Sequence, residues 1–252
     1  MAWYNKAEIR LVKSLMENWQ RRGSQVLHLG LHSSVCPEFF WDSGLDVTVC
    51  EENHLAIEEA LKRSGPRISY QVGKADYLPF EDDSFEYAFF SLYTASAYYS
   101  EYGMPMCLQD SSFFYGKILP ELCRVAQRSV IILAKNNFSL NRAKYRGKFY
   151  NPYGLWRECH SWCSKEQKEQ RGRVRFASTG FVPRFALRFM SQKLDFLNCS
   201  VSYLPFGALI GYNLTFNAPP VTGIGEFIQS EKRKLEQVSC IQRNSSFQDM
   251  KK

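Results

Sequence analysis

The sequence lacks the marks of several protein classes. Its 252 residues contain no apolar run long enough to cross a bilayer, and the run at 129–134 has only the length of a strand. The first residues lack the basic segment and apolar core of a signal peptide. None of the eight cysteines forms a C-x-x-C pair, so we expect reduced thiols and a cytoplasmic protein. A hydrophobic content of 45% suffices for one good-sized domain.

Metal-ligand spacing is missing as well. Cys159, His160 and Cys163 offer three potential ligands, but their spacing matches no common site, so we assign them to a helix surface and expect no metal. His54 and His160 are solitary, which favours a structural or exposed role for both.

Acidic residues are scarce in one part of the chain. The net charge is +7, and only three glutamates accompany fifteen lysines and arginines between 124 and 188. Such a basic region attracts nucleic acid, an anionic membrane surface or an acidic substrate, or else forms a solvated surface. The sequence leaves these alternatives open.

Apolar periodicity predicts alternating helices and strands before residue 135. The predicted helices cover 5–22, 36–43, 53–63 and 113–126. The predicted strands cover 25–30, 46–50, 68–72, 85–91 and 129–134. We expect Gly23 to end the first helix, Asn53 to cap the third, and Pro120 to start or kink the fourth. The third helix is expected to bury Leu55, Ile57, Ala60 and Leu61. This alternation indicates a parallel sheet covered on both faces.

The rest of the chain departs from this rhythm. Residues 136–193 are aromatic, basic and poorly periodic, with one short helix predicted over 164–170 and capped by its first residue. Two tightly joined strands are predicted over 201–207 and 208–216. The polar residues 226–252 predict a helix fragment and a disordered tail.

The stretch from Gly73 to Ser91 carries the most specific pattern. Leu78-Pro-Phe is an apolar plug in which the proline ends regular pairing, because it has no N–H. Four turn formers follow at 81–84, and the aromatic run Phe85–Ser91 predicts a buried strand. This layout resembles the segment between the third and fourth strands of class I S-adenosylmethionine-dependent methyltransferases, in the type 11 group of small-molecule enzymes.

The resemblance implies a fold, a cofactor and a reaction. The fold is α/β, Rossmann-like and doubly wound, with a seven-stranded sheet that is mostly parallel and ends in an antiparallel hairpin. The resemblance implies one domain over 1–225, a substrate-covering insertion over 136–193, and a polar tail over 226–252. The implied cofactor is S-adenosyl-L-methionine, and the implied reaction is methyl transfer to a small molecule.

The first cofactor motif is altered. In this family the first strand enters a Gly-x-Gly-x-Gly turn, whose missing side chains let the backbone approach the methionine part of the cofactor. Here Gly30 keeps the first glycine, while His32 and Ser34 stand at the second and third positions. His28 replaces the usual strand carboxylate. A histidine at a position of close approach takes up room that the cofactor needs.

Two other strand ends complete the implied cofactor site. Glu51, directly after the second strand, would accept hydrogen bonds from the ribose hydroxyls, with Glu52 beside it. The alternative is that both glutamates only favour the start of the following helix. Ser91 and Leu92, at the end of the fourth strand, are the remaining residues that we assign there.

Lys74 is the largest departure from the family pattern. The family usually has an aspartate here, which accepts a hydrogen bond from the adenine amino group, and an ammonium group cannot accept one. Lys74 either turns outward, leaving adenine recognition to the Ala75 N–H and the Asp76 carboxylate, or favours an anionic ligand. A surface pair between Lys74 and Asp76 is the third alternative.

No catalytic residue is evident, and many enzymes of this fold act by positioning the donor against a nucleophile. Tyr93, Tyr98 and Tyr99 either line an acceptor pocket or pack in the core. The segment lacks the Asn/Asp-Pro-Pro-aromatic motif of many nucleic-acid methyltransferases. We therefore favour a small-molecule methyltransferase over an inactive methyltransferase-like binding or regulatory protein, and over an RNA methyltransferase that uses the basic region.

Overall fold

The computed structural model describes residues 2–20, 22–33, 35–93, 111–139, 149–165, 173–181 and 200–216. The strands are β1 (Gln25–Leu29), β2 (Asp46–Glu51), β3 (Ser69–Val72), β4 (Phe85–Ser91), β5 (Ala126–Lys135), β6 (Arg173–Thr179) and β7 (Leu209–Thr215). They form one sheet in the order β3-β2-β1-β4-β5-β7-β6. The first five strands pair in parallel, and β7 runs antiparallel to both of its neighbours. The predicted fold class is confirmed.

The helices are α1 (Ala2–Leu15), α2 (Pro37–Asp42), α3 (His54–Ser64), α4 (111–125) and α5 (Pro152–Lys165). Asn53 caps α3 as predicted, since its side chain accepts from the N–H groups of the first turn. Helix α4 contains the π-helical turn Phe114–Ile118, and Pro120 follows near the start of its last part. Pro120 thus lies in the first turn of the α-helical part Leu119–Val125, directly after the π-helical turn. No described helix combines the length and apolar character needed to cross a membrane.

Alternate residues of β4 face two apolar layers. Ala88 and Phe90 pack with residues of α4 and α5, as does Phe85, which precedes a register shift in the pairing with β5. Tyr87 and Phe89 face the other side, where α1 and α2 cover the sheet. Because side chains alternate along a strand, this aromatic run contributes to both cores.

Helix α1 ends at Leu15, earlier than the predicted residue 22. The reason lies far along the chain, because the Asn213 side chain in β7 donates a 2.7 Å hydrogen bond to the Leu15 carbonyl. Beyond the helix, Trp19 donates through Nε1 to the Ser129 hydroxyl in β5 at 3.1 Å. Gly23 lies in a later turn with φ of 70°.

The buried face of α3 is narrower than predicted. Ile57 and Ala60 are buried, but Leu55 is 66% exposed and Leu61 is 44% exposed. Helix α3 lies against β2 and β3, and β3 is the edge strand, with most of its own side chains exposed. An edge position offers too little sheet to cover a wide apolar stripe.

The last part of the chain differs most from expectation. Strand β7 pairs with β5 on one side and with β6 on the other, and 201–207 forms no strand, since only Ser202 makes an isolated bridge, to Ser178. Strand β6 is an edge strand that contains several polar residues, so the apolar pattern of the sequence did not predict it. Ser164 lies near the end of α5, so it does not cap a helix. Residues 166–170 and the tail 226–252 lie outside the described ranges.

Candidate functional site

The candidate site lies at the carboxyl ends of β1, β2 and β4. The chain passes from β1 to β2 on one side, and β4 lies on the other side of β1. In open α/β sheets, ligands bind outside the carboxyl ends of the strands at such a switch point. The described segments there are 30–33, 51–53 and 91–93, which include most of the predicted cofactor-binding residues. Ser34 lies outside the described ranges.

Gly30 makes the turn out of β1. Its φ is 77°, in the left-handed region that favours glycine, and its N–H donates to the Cys50 carbonyl at 2.8 Å. A Cβ built on Gly30 would overlap Nδ1 and Cε1 of His32. The imidazole therefore occupies the space that the absent side chain of Gly30 leaves.

His32 crosses the crevice from the β1 turn to the end of β4. Its Nε2 lies 2.7 Å from the Ser91 carbonyl oxygen, and because a carbonyl only accepts, Nε2 carries the proton. The ring is 2% exposed and meets Phe90 edge-on. Burial lowers the pKa of His32, against the smaller opposing effects of the Ser91 carbonyl and the nearby Glu51 carboxylate. The imidazole is therefore neutral at pH 7.

Glu51 connects the turns after β1 and β2. Its Oε2 accepts from the Leu31 N–H at 2.7 Å, and its Oε1 accepts from the N–H groups of Glu52 and Asn53 at 2.9 and 3.0 Å. A carboxylate has about four acceptor positions, so one remains on Oε2. Glu51 is buried and Glu52 is exposed. The start of α3 is capped by Asn53, while Glu51 organises the loop before it.

His28 is a core residue within β1. Its Nε2 lies 3.0 Å from the Val35 carbonyl, and its ring packs between Phe40 and Phe89. Burial lowers the pKa of His28 to about 4, so the ring is neutral. Its buried Nδ1 has no hydrogen-bond partner among the residues that the structure describes. The imidazole thus replaces the family's strand carboxylate with an uncharged group.

Lys74 does not enter the crevice. Its side chain is exposed, while Ala75 and Asp76 are half-buried, and the Lys74 carbonyl accepts from the Tyr77 N–H at 3.3 Å in a tight turn. The preceding Gly73 is needed for packing, because a Cβ there would meet Cys50 Sγ and the Pro79 ring. Of the three alternatives for Lys74, the outward orientation agrees with this geometry.

Ser91 and Leu92 are buried at the end of β4. The Ser91 hydroxyl donates to the Tyr93 carbonyl at 3.0 Å, and the Leu92 N–H donates to the Leu133 carbonyl at 2.7 Å. The crevice therefore meets the Ser91 backbone carbonyl rather than its hydroxyl. Tyr98 and Tyr99 lie outside the described ranges.

The sequence analysis overlooked Glu8, a fully buried carboxylate in α1. It accepts a hydrogen bond from the Tyr93 hydroxyl. Lys135, also buried, lies over the Tyr93 ring at the end of β5. A charged residue among the apolar positions of an amphipathic helix was the only signal, and its partners are distant in sequence.

Several members of the basic region have contacts within the protein. Arg124 binds the Glu121 and Asp82 carboxylates and the carbonyls of Leu78 and Phe80. Arg175 pairs with Glu17 at 3.1 Å. Cys159 and Cys163 of α5 face the core, so their assignment to a helix surface was wrong. The described residues contain no cluster of three or more His, Cys, Asp and Glu side chains placed to hold a metal.

Solved structures with a similar fold include S-adenosylmethionine-dependent methyltransferases. A SAM-dependent methyltransferase of Thermotoga maritima, described as a possible histamine N-methyltransferase, is 16% identical with a TM-score of 0.54, over 85% of this chain and 92% of its own. The plantazolicin methyltransferase BpumL, in complex with a triazolic desmethylPZN analogue and SAH, is 11% identical with a TM-score of 0.53, over 86% of each chain.

A third similar structure is a TehB-like SAM-dependent methyltransferase of Corynebacterium glutamicum, 11% identical with a TM-score of 0.51, over 84% of this chain and 88% of its own. No family model matches the chain, and no curated protein matches its sequence. At these identities the likeness concerns the fold. The chain has the class I methyltransferase fold.

Proposed function

We propose that this chain is an S-adenosylmethionine-dependent methyltransferase acting on a small-molecule acceptor. Its fold is shared with structures named as such enzymes, one of them holding SAH. The site agrees with the fold in one respect. Glu51 stands at the end of β2, where nucleoside-binding sheets of this kind place an acidic residue.

The observation that carries the proposal is the position of Glu51. Its carboxylate lies at the end of β2, beside the switch point, and its Oε2 keeps one acceptor position after binding the Leu31 N–H. That position suits a ribose hydroxyl. The exposed Lys74 leaves the neighbouring backbone at 74–76 for the adenine ring, with Asp76 as an acceptor. The adenosine part of the donor fits these residues.

The amino-acid part of the donor does not fit the described arrangement, because His32 fills the space beside Gly30. When bound, S-adenosylmethionine supplies an electrophilic methyl group. The contribution of the chain is to hold the nucleoside through Glu51 and to align the acceptor, which is catalysis by proximity. None of the described residues needs to act as an acid or base for this role.

Calorimetry with S-adenosylmethionine and S-adenosylhomocysteine tests the proposal. We expect both to bind with micromolar dissociation constants, and radiolabelled methyl groups to transfer to members of a panel of small amines, phenols and thiols. Absence of binding by both nucleosides to the folded protein would contradict the proposal.

The buried imidazole of His32 favours a second candidate, a methyltransferase-like protein that binds nucleosides without turnover. A neutral ring hydrogen-bonded across the crevice stabilises a closed site. This candidate predicts nucleoside binding with no methyl transfer to any acceptor, also after His32→Gly. Transfer by the unaltered protein excludes it.

A further inference from the structure

We propose that His32 selects the ligand of this crevice. Its imidazole stands in for the amino-acid part of the donor, so a ligand with that part enters only when it displaces the ring and supplies an N–H of its own. A nucleoside without the amino-acid part binds with the ring in place. This inference rests on the proposed function, since it concerns the same crevice.

The His32 ring already fills the volume beside Gly30. The ring of His32 lies against Gly30, where a single added carbon would overlap two of its atoms. It is buried to 2% exposure and has Phe90 on one side. No ligand atom can share this volume with the ring.

The His32 ring also donates a hydrogen bond to the Ser91 carbonyl, which a ligand in its place must replace. The Ser91 carbonyl is buried at the end of β4 and receives the His32 Nε2 proton at 2.7 Å. A ligand that displaces the ring without an N–H or O–H donor would leave this carbonyl unpaired, which is costly in a buried site. The α-ammonium group of S-adenosylmethionine and S-adenosylhomocysteine can replace the lost donor.

The crevice has two halves, one at the end of β2 and one at the end of β4, with β1 between them. Glu51 lies at the end of β2, on the other side of β1 from Ser91. Its Oε2 is bound by the Leu31 N–H, whereas the Nε2 hydrogen bond of His32 runs to the end of β4. A ligand that needs only the Glu51 side therefore leaves the imidazole in position.

Two matched nucleosides test the inference. S-adenosylhomocysteine has the amino-acid part, whereas 5′-methylthioadenosine keeps the adenosine and the thioether without it. The apparent affinity of a ligand falls with the fraction of protein that is competent to bind it. We expect His32→Ala to tighten S-adenosylhomocysteine binding by about tenfold or more, and to change 5′-methylthioadenosine binding by less than about threefold.

Two further variants serve as controls. His32→Phe fills the same space without the N–H, so it should give no gain for S-adenosylhomocysteine. His160→Ala, at an exposed position of α5, should change neither affinity. Thermal unfolding of each variant reports whether it is folded.

A measurement on the unaltered protein avoids dependence on the folding of variants. The Nε2 proton of His32 should give a slowly exchanging NMR signal, because it is buried and hydrogen-bonded. We expect this signal to persist with 5′-methylthioadenosine and to disappear with S-adenosylhomocysteine.

Three results would overturn the inference while leaving the proposed function intact. They are an unchanged or weaker affinity of His32→Ala for S-adenosylhomocysteine, an equal gain for both nucleosides, and persistence of the Nε2 signal with S-adenosylhomocysteine bound. If neither nucleoside binds the unaltered protein or any folded variant, the proposed function and the inference both fail.

Discussion

The Tyr93 hydroxyl, two residues beyond β4, donates a hydrogen bond to the Glu8 carboxylate in α1. Both residues are buried, and Lys135 Nζ lies 5.2 Å from the centre of the Tyr93 ring. Burial lowers the pKa of Lys135, while the negative charge of Glu8 acts in the opposite direction. These groups join the first helix to the ends of β4 and β5, next to the crevice.

Tyr93→Phe removes the hydroxyl and keeps the ring. We expect the free energy of unfolding to fall by about 1–3 kcal/mol, since a buried carboxylate loses one of its donors. Urea denaturation measures the change. Tyr77→Phe is the control, because Tyr77 is 78% exposed, and it should leave stability unaltered. Equal stability of the two variants would refute a structural role for the Tyr93–Glu8 bond.

Glu51→Gln exchanges one acceptor oxygen for an NH2 group that can only donate. Because Glu51 receives three backbone N–H groups, the variant should lose about 1–3 kcal/mol of stability. Nucleoside affinity, measured by calorimetry with S-adenosylhomocysteine, should fall by about tenfold or more. Glu58→Gln, on the exposed face of α3, should change neither quantity. Lost stability with unchanged affinity would assign Glu51 a purely structural role.

Arg124 holds the acidic turn between β3 and β4 against α4. Its hydrogen bond to Glu121 is the main reason that the pKa of this carboxyl is lowered from 4.5. A lowered pKa in the folded state means that the stabilisation is complete above the unfolded value and is lost as the pH falls below it.

We expect Arg124→Ala to lower the free energy of unfolding by about 1–2 kcal/mol at pH 7. Its contacts are charge-assisted hydrogen bonds, but the side chain is partly exposed, which limits their contribution. The difference from the unaltered protein should shrink below about pH 4. Arg157→Ala, which removes an exposed pair with Glu158 at 3.5 Å, serves as control and should have little effect. A pH-independent difference would argue against the role of Glu121.

His28 should make stability depend on pH in a different range. Burial lowers its pKa from 6.5 to about 4, so the unfolded chain binds more protons than the folded one between these values. Stability should therefore fall as the pH decreases from 6.5 towards 4, by up to about 1.4 kcal/mol per pH unit for this residue. His32, whose pKa is also lowered, adds to the same trend.

His28→Phe removes one titrating group and should reduce the slope of unfolding free energy against pH. Urea denaturation at several pH values measures it. Leu55→Phe, at an exposed position of α3, removes no titrating group and should keep the original slope. An unchanged slope in His28→Phe would mean that the ring is not kept neutral by its surroundings.

Local patterns predicted much of the fold. The aromatic run Phe85–Ser91 is β4 at the predicted residues, and Asn53 caps α3, because both depend on neighbours in sequence. The end of α1 and the strand β6 were mispredicted, since a distant side chain determines the first and an edge position permits the polar composition of the second. Sequence propensity carries no information about such long-range contacts.

The candidate site was predictable in its positions but not in its arrangement. The order of residues placed Gly30, His32, Glu51 and Ser91 at strand ends, and the sheet brings these ends together. The sequence showed that His32 replaces a glycine. It did not show that the ring turns back over Gly30 and reaches Ser91, since the rotamer depends on a partner 59 residues away.

The Asn213 side chain has a consequence for the order of events during synthesis. Its amide donates to Leu15, 198 positions earlier, and its oxygen accepts from the Ser129 hydroxyl. Helix α1 is synthesised long before β7, yet this contact between them forms only after β7 has left the ribosome. A nascent chain halted before this asparagine would lack the hydrogen bond that joins the end of α1 to β7.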